Sequence, residues 1–323
     1  MSLNKKVIVI QALRDHWDAP PINEPWSNFC DRNLTRLLQC SAWHLEHFEA
    51  GLVPLDADVY TMCSFDVSLL DREIEMVKKL KSLGKKVIVG FSADLRFLIG
   101  NCLMSPTGTI YTELCKHVDL IMSAASPDLH LYGRYQDKVI PFGVPFERGD
   151  LSTIPYKDRP IDVLVSSSIG EECISQNLEI LLMFKEKRPD IRIMYNTQPS
   201  IIDTLLKRYQ DRIEFVHGWL ADRLPYAKTL LSPELRPRSG RCLDDAWKFR
   251  VPFVSVEWAY HSRLFPDFTF REMSMDHIVN QVDKLLNADY NTIIKKAEEI
   301  AEYDYFDIAW PRILKRLFPD EYK

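Results

Sequence analysis

Short apolar runs alternate with amphipathic stretches along the whole chain. Residues 6–11 (KVIVIQ), 58–62 (DVYTM), 86–91 (KVIVGF), 119–124 (DLIMSA) and 138–141 (KVIP) are compact, mostly apolar and rich in Val and Ile. That is the pattern of strands buried on both faces. Between them, 34–49, 69–83 and 111–117 carry apolar residues at helical spacing. Gly84 follows the second of these, where glycine closes a helix in the left-handed conformation. Residues 146–160 (FERGDLSTIPYKDRP) break the rhythm and read as a linker, being polar, proline-rich and aperiodic. The alternation then restarts, with strands at 161–166, 191–196, 213–216, 229–232 and 253–256 and helices at 175–187, 200–209, 221–227 and 240–249. The tail from 291 to 323 reads as two helical pieces broken near 304–307, Trp310-Pro311 opening the last, because proline is tolerated in a first turn.

This order predicts an α/β chain of two doubly wound, Rossmann-like domains, each on a parallel sheet. The boundaries fall at 1–150, 151–305 and a final piece, 306–323. Two such domains facing a cleft would turn their strand carboxyl ends, and so their ligands, into it. A length of 323 residues agrees, since it exceeds what one core usually holds. A net charge of −5 argues against broad binding of nucleic acid or anionic membrane, while leaving room for a local basic patch. No apolar run approaches the ~20 residues of a membrane span, and the first apolar stretch, cut short by Arg14-Asp15, reads as a core strand and not a signal peptide. The seven cysteines (Cys30, Cys40, Cys63, Cys102, Cys115, Cys173, Cys242) form no CxxC pair. Reduced, mostly buried thiols in a cytoplasmic protein are the expectation, and it weighs against a Cys30–Cys40 disulfide.

The most informative stretch runs from Ser232 to Asp245. A polar loop leads into a helix beginning near Gly240, so unpaired backbone N–H groups with partial positive charge face whatever lies beyond it. Arg236, Arg238 and Arg241 flank that start, and Asp244 and Asp245 follow about one turn later. A diphosphate beside a polyhydroxylated group, as in a nucleotide-sugar, suits this mixture. An ordinary βα turn under a solvated charged loop suits the same residues.

Other candidates sit at strand ends. Arg14 and His16 follow the first strand, and Asp94 and Arg96 follow 86–91, where acceptor contacts, catalysis or simple loop bracing are all open. The segment HWDAPPINEPW, from His16 to Trp26, is stiffened by three prolines. Trp17 within it could stack on a sugar ring or cover the first core. His44 and His47 stand at i, i+3 beside Glu46 and Glu49, but no third ligand is in view for a metal.

Four stretches resemble GT-B glycosyltransferases, most of all the family 4 type that retains anomeric configuration. KVIPFGV (138–144) resembles the strand and loop closing the first domain of that family, with Phe142 in place of its usual Asn. LEILLMFKEKRPD (178–190) resembles the first helix of the second domain, and 216–227 resembles the stretch beside the nucleotide base. Residues 239–254 resemble the family's donor signature, with Gly240 as its glycine, Asp245-Ala246 as its acid–alanine pair and Pro252-Phe253-Val254 as its closing strand. The helix at Trp310 looks like the one that crosses back to the first domain.

The resemblance implies a transferase moving a sugar from a nucleotide-diphospho-sugar to an acceptor hydroxyl with retention of configuration, and with no cofactor and no metal. It implies that Ser239, Gly240 and Arg241 meet the diphosphate, Asp245 the ribose, and Gly218-Trp219 the base. Glu234, Arg236 and Arg238 complete the donor set. His16, Asp94 and Arg96 are the implied catalytic residues, and Arg14 and Trp17 the implied acceptor contacts. The acceptor would be a glycan, a lipid-linked sugar or a small molecule, with peripheral membrane contact compatible and no nucleic acid. The chain departs from the pattern where Pro237 replaces the signature's first Glu, where Glu171-Glu172 replace a basic pair, and at Gln176, where a Lys is expected. Those departures support a second reading, a catalytically inactive GT-B module that binds a nucleotide, glycan or protein. A third is nucleotide-sugar epimerisation on the same fold.

Overall fold

The computed structural model describes residues 5–11, 35, 37–64, 69–91, 113–122, 135–140, 146–166, 171–197, 209–218, 220–233, 241–257, 260–271 and 274–321. The chain divides into two compact units, 1–147 with 303–323, and 148–302.

In the first unit, β1 (Val7–Gln11), β2 (Ser41–His44), β3 (Val59–Ser64), β4 (Lys86–Phe91), β5 (Leu120–Met122) and β6 (Val139–Ile140) form one parallel sheet in the order β2-β1-β3-β4-β5-β6. The chain winds outward in one direction from β1 to β2 and in the other from β3 to β6, so the switch point lies between β1 and β3. Its core joins Ile8, Ile10, Tyr60, Met62, Val87, Val89 and Ile121 to Leu70, Ile74, Val77 and Leu80 of α2 (Leu70–Ser82). Gly84 closes α2 as expected: its φ is 72°, and Lys85 N–H reaches back to Leu80 O at 3.0 Å.

One element departs from expectation. Residues 41–44, assigned by periodicity to a helix from 34 to 49, are the edge strand β2, and only α1 (Leu45–Glu49) after it is helical there, with residues 35, 37 and 38 before it. A four-residue, half-exposed edge strand is too short for a period of two to stand out against flanking helix. The last helix also differs. α7 (Phe306–Leu317) begins five residues before Pro311, which therefore falls inside it and not at its start. The missing N–H would have met the carbonyl of Asp307, an exposed residue whose oxygen water can serve.

The second unit repeats the plan. β7 (Ile161–Ser166), β8 (Ile193–Asn196), β9 (Glu214–Val216), β10 (Ala227–Leu231), β11 (Phe253–Val256) and β12 (Thr269–Phe270) lie parallel in the order β12-β11-β10-β7-β8-β9. Here the switch point is between β7 and β10. The helices are α3 (Glu171–Lys187), α4 (Arg241–Lys248), α5 (Met275–Leu286), α6 (Tyr290–Ala301) and, back in the first unit, α7 (Phe306–Leu317). The helix expected at 221–227 is instead two 3-10 turns, Leu220–Asp222 and Leu224–Tyr226, with Pro225 in the second. The helix expected at 200–209 lies almost wholly outside the described residues.

Both sheets are braced at their amino ends by the same device, an aspartate that accepts the backbone N–H of a neighbouring strand's start. Asp58 takes Lys6 N–H at 2.9 Å, Asp119 takes Val87 N–H at 2.8 Å, and Asp162 takes Arg192 N–H at 2.8 Å. Lys81 and Lys228 then cover Asp119 and Asp162 at 2.7 and 2.8 Å.

Arg159, immediately before β7, is 2 % exposed and donates to Ala227 O at 3.1 Å, Phe249 O at 3.1 Å, Arg250 O at 3.4 Å and Ile154 O at 3.3 Å. It thereby joins the entry to β7, the first residue of β10 and the carboxyl end of α4. Replacing it leaves several buried carbonyls without a donor, so Arg159→Met is expected to cost about 3 kcal/mol or more in urea unfolding. Arg159→Lys recovers only part, since one ammonium cannot span carbonyls that a planar fork does.

Candidate functional site

The switch point of the second sheet is where a ligand of a doubly wound domain binds, beyond the strand carboxyl ends. β10 delivers Ser232 and Pro233 there, and α4 starts again at Arg241. Cys242 Sγ lies 3.6 Å from Ser232 Oγ, and Ser232 N–H is held by Val254 O at 3.0 Å, so the two ends of the intervening stretch are drawn together. On the other side of β7, Asn196 at the end of β8 donates through Nδ2 to Gly218 O at 3.2 Å, just past β9. Gly218 has φ of +124°, a conformation that only glycine adopts without strain. At the far edge, Glu257 ties the end of β11 to β12 through Phe270 O and holds Arg271 at 2.5 Å.

α4 carries more charge than its burial suggests. From Leu243 to Arg250 every residue except Asp244 is buried. Asp245 and Lys248 side chains are each 6 % exposed, with Oδ1 and Nζ 3.8 Å apart. Asp244, 23 % exposed, has its Oδ1 2.7 Å from Nε2 of His261, itself 1 % exposed, on the 3-10 turn Tyr260–Leu264 after β11. The helix ends with Arg250 at φ of 50°, where Val251 N–H reaches Ala246 O at 2.8 Å. Arg250 keeps a position that glycine usually takes by laying its guanidinium 4.3 Å over the Trp247 ring and donating to Trp247 O at 2.7 Å and Glu298 at 3.2 Å.

Of the donor residues expected from sequence, Gly218, Arg241 and Asp245 fall within the described residues. Gly218 lies two residues past β9, Arg241 opens α4, and Asp245 sits inside its second turn. Trp219, Glu234, Arg236, Arg238, Ser239 and Gly240 lie outside the described residues, as do Arg14, His16, Trp17, Asp94 and Arg96. His44 and His47 cap α1: His44 N–H donates to His47 Nδ1 at 3.3 Å. Among the described residues no group of three His, Cys, Asp or Glu is placed to hold a metal ion, and no helix is long and apolar enough to cross a membrane. Lys248 and His261 escaped notice in the sequence. A lysine three residues after an acid on a helix otherwise buried was the available signal for the first; nothing local marked the second.

No known family profile matches the chain, and no curated protein matches it in sequence. Solved structures do match in fold. A Listeria monocytogenes protein assigned as a UDP-N-acetylglucosamine 2-epimerase superimposes with a TM-score of 0.57 at 10 % identity over 97 % of this chain and 96 % of its own. S. aureus TarM, solved with fondaparinux, α-GlcNAc-glycerol and UDP, gives 0.62 at 11 % identity over 84 % of this chain and 58 % of its own. The spinosyn rhamnosyltransferase SpnG with thymidine diphosphate gives 0.54 at 10 % identity over 96 % of this chain and all 100 % of its own. The likeness is one of fold: two parallel six-stranded α/β sheets of the GT-B kind.

The left-handed Gly218 gives a direct check on the rim. Nothing lies within 4 Å of an added Cβ there, so Gly218→Ala strains the backbone alone. A loss of about 1–3 kcal/mol is expected in denaturant unfolding.

Proposed function

We propose that the chain is a glycosyltransferase that takes a sugar from a nucleoside-diphosphate donor and passes it to an acceptor hydroxyl with retention. The observation that carries the reading is the switch point between β7 and β10, where α4 emerges with its amino end toward the ligand position. Fold neighbours solved with UDP or thymidine diphosphate support a nucleotide donor.

In this reading the diphosphate lies at Ser239, Gly240 and Arg241, with Arg236 and Arg238 supplying the positive charge that Glu171-Glu172 and Gln176 do not. Arginine forks suit phosphate oxygens. Cationic groups at the leaving diphosphate stabilise the charge that develops as the glycosidic bond breaks, and no metal is required for that. Asp245 takes the ribose, Gly218-Trp219 the base, and Glu234 completes the donor contacts. Arg14 and Trp17 hold the acceptor, while His16, Asp94 and Arg96 orient its hydroxyl.

Thermal unfolding with UDP, GDP, ADP and thymidine diphosphate tests the donor. A nucleotide at about a hundred times its Kd stabilises the folded chain by about 2.7 kcal/mol, and Asp245→Ala is expected to abolish the effect and the calorimetric heat of binding. No rise with any of them at millimolar concentration defeats the donor assignment. Incubation with UDP-, GDP- and ADP-sugars then separates a transferase from an inactive binding module, since the module yields no transfer or donor hydrolysis. Chelator should leave transfer unchanged.

A further inference from the structure

A cleft of about 560 Å³ opens within the unit 148–302, its walls formed by Asp150, Thr153, Tyr156, Lys157, Tyr290 and Asn291. It lies beside Arg159, ahead of β7, whereas the switch point lies past the carboxyl ends of the strands, about 20 Å away along β7. The aromatic wall is set in advance. The Tyr156 and Tyr290 rings stack at 4.0 Å with 13° between their planes, Arg159 stands 5.8 and 5.9 Å from their centroids, and the Tyr290 hydroxyl donates to Arg250 O at 2.9 Å. The facing strap is held as well: Asp150 Oδ1 accepts Ser152 N–H at 2.8 Å, and Leu151 N–H reaches Lys248 O at 2.9 Å. Yet polar groups on these walls are left over. Among the described residues, the side chains of Thr153, Lys157 and Asn291 and the hydroxyl of Tyr156 make no hydrogen bond or ion pair. Ordered aromatic surface beside unused donors and acceptors in one concave wall is the composition of a ligand site, and side chains fixed beforehand lose little entropy when a ligand binds.

We propose that this cleft binds an uncharged oligosaccharide, at a site separate from the donor position. A pyranose has an apolar C–H face that suits a tyrosine ring, and a rim of hydroxyls that donate to Asp150 and pair with Asn291 and Thr153. Charge argues for a neutral ligand. Lys157 and Asp150 have opposite sign, and four carbonyls take the Arg159 N–H groups. A phosphate would meet the Asp150 carboxylate, and the start of α6 is capped by Asp289, which accepts Thr292 N–H at 3.0 Å. A wholly apolar ligand would strand the polar groups without partners. The volume matches a ligand of about two or three sugar rings. The assignment does not rest on the donor reading, since a transferase that extends a glycan and a module that only binds one would each have a use for it.

Saturation-transfer NMR on the intact chain, without nucleotide, tests this with maltotriose, cellotriose, mannotriose and triacetylchitotriose at millimolar concentration. At least one is expected to receive saturation, and titration then gives its Kd. Thr153→Ala combined with Asn291→Ala, both at exposed positions, should weaken that Kd about tenfold. Tyr156→Ala should abolish binding, while Tyr156→Phe, which keeps the ring, should cost only about threefold. Saturation of none of the sugars overturns the proposal. Affinity unchanged in the double variant and in Tyr156→Ala overturns it too, because the sugar then sits elsewhere; should Tyr156→Ala not fold, the double variant decides alone. A preference for glucose 6-phosphate that Lys157→Met removes would mark an anion site and overturn it equally. Saturating UDP should leave the sugar in place. Displacement by UDP would put the sugar at the donor position and defeat the proposal, whereas UDP that binds nowhere defeats the donor assignment and leaves this one standing.

Discussion

The second unit depends on one buried cation. Arg159 sits ahead of β7 and satisfies carbonyls at the start of β10 and just past the end of α4, so β7, β10 and α4 are fastened together at the end opposite the strand carboxyl ends. A guanidinium can do this without a carboxylate because the carbonyls at a helix carboxyl end carry partial negative charge. Tyr156 and Tyr290, stacked at 4.0 Å, close over the guanidinium, and burial pushes the Tyr156 phenol up to about 12, so it stays neutral beside the cation.

The aspartates at the amino ends extend the same logic to both sheets. Each spans from its own strand to the N–H that opens a neighbour, setting register where the ladder begins. Lys138 does the complementary work for carbonyls, donating to Cys115, Lys116 and Val118 at 2.8–3.1 Å, and burial holds its pKa below the ordinary lysine range. Arg316 of α7 adds the carbonyls of Asp137 and Val139. Charged groups at the amino ends thus act on the backbone.

What could be read from the chain follows the strength of each signal. The Val/Ile strands announced themselves because strands covered on both faces are apolar throughout, and Gly84 because a helix end needed a left-handed residue. β2 and β12 did not, being edge strands of four and two residues with no room to establish a period. Arg250 is the counterpart of Gly84, and its side chain hid the same backbone need. Among the candidate site residues, Gly240, Arg241 and Asp245 stood out through their order in the chain. Arg159, Lys248 and His261 did not, because each is meaningful only through a partner that the fold brings to it: the α4 carbonyls, Asp245 through burial, and Asp244.

The charges of α4 fit together once its two ends are considered jointly. Its carboxyl end is neutralised by Arg159 and Arg250, which leaves the helix dipole uncompensated only at the amino end. Asp244, in the first turn, would offset that positive end, but His261 lies 2.7 Å away and draws the carboxylate to the side. Asp245 is likewise turned to Lys248. Both acids near the start of α4 thus have a basic side chain within 4 Å to one side, Asp244 beside His261 and Asp245 beside Lys248, so their charge is not directed along the helix axis alone.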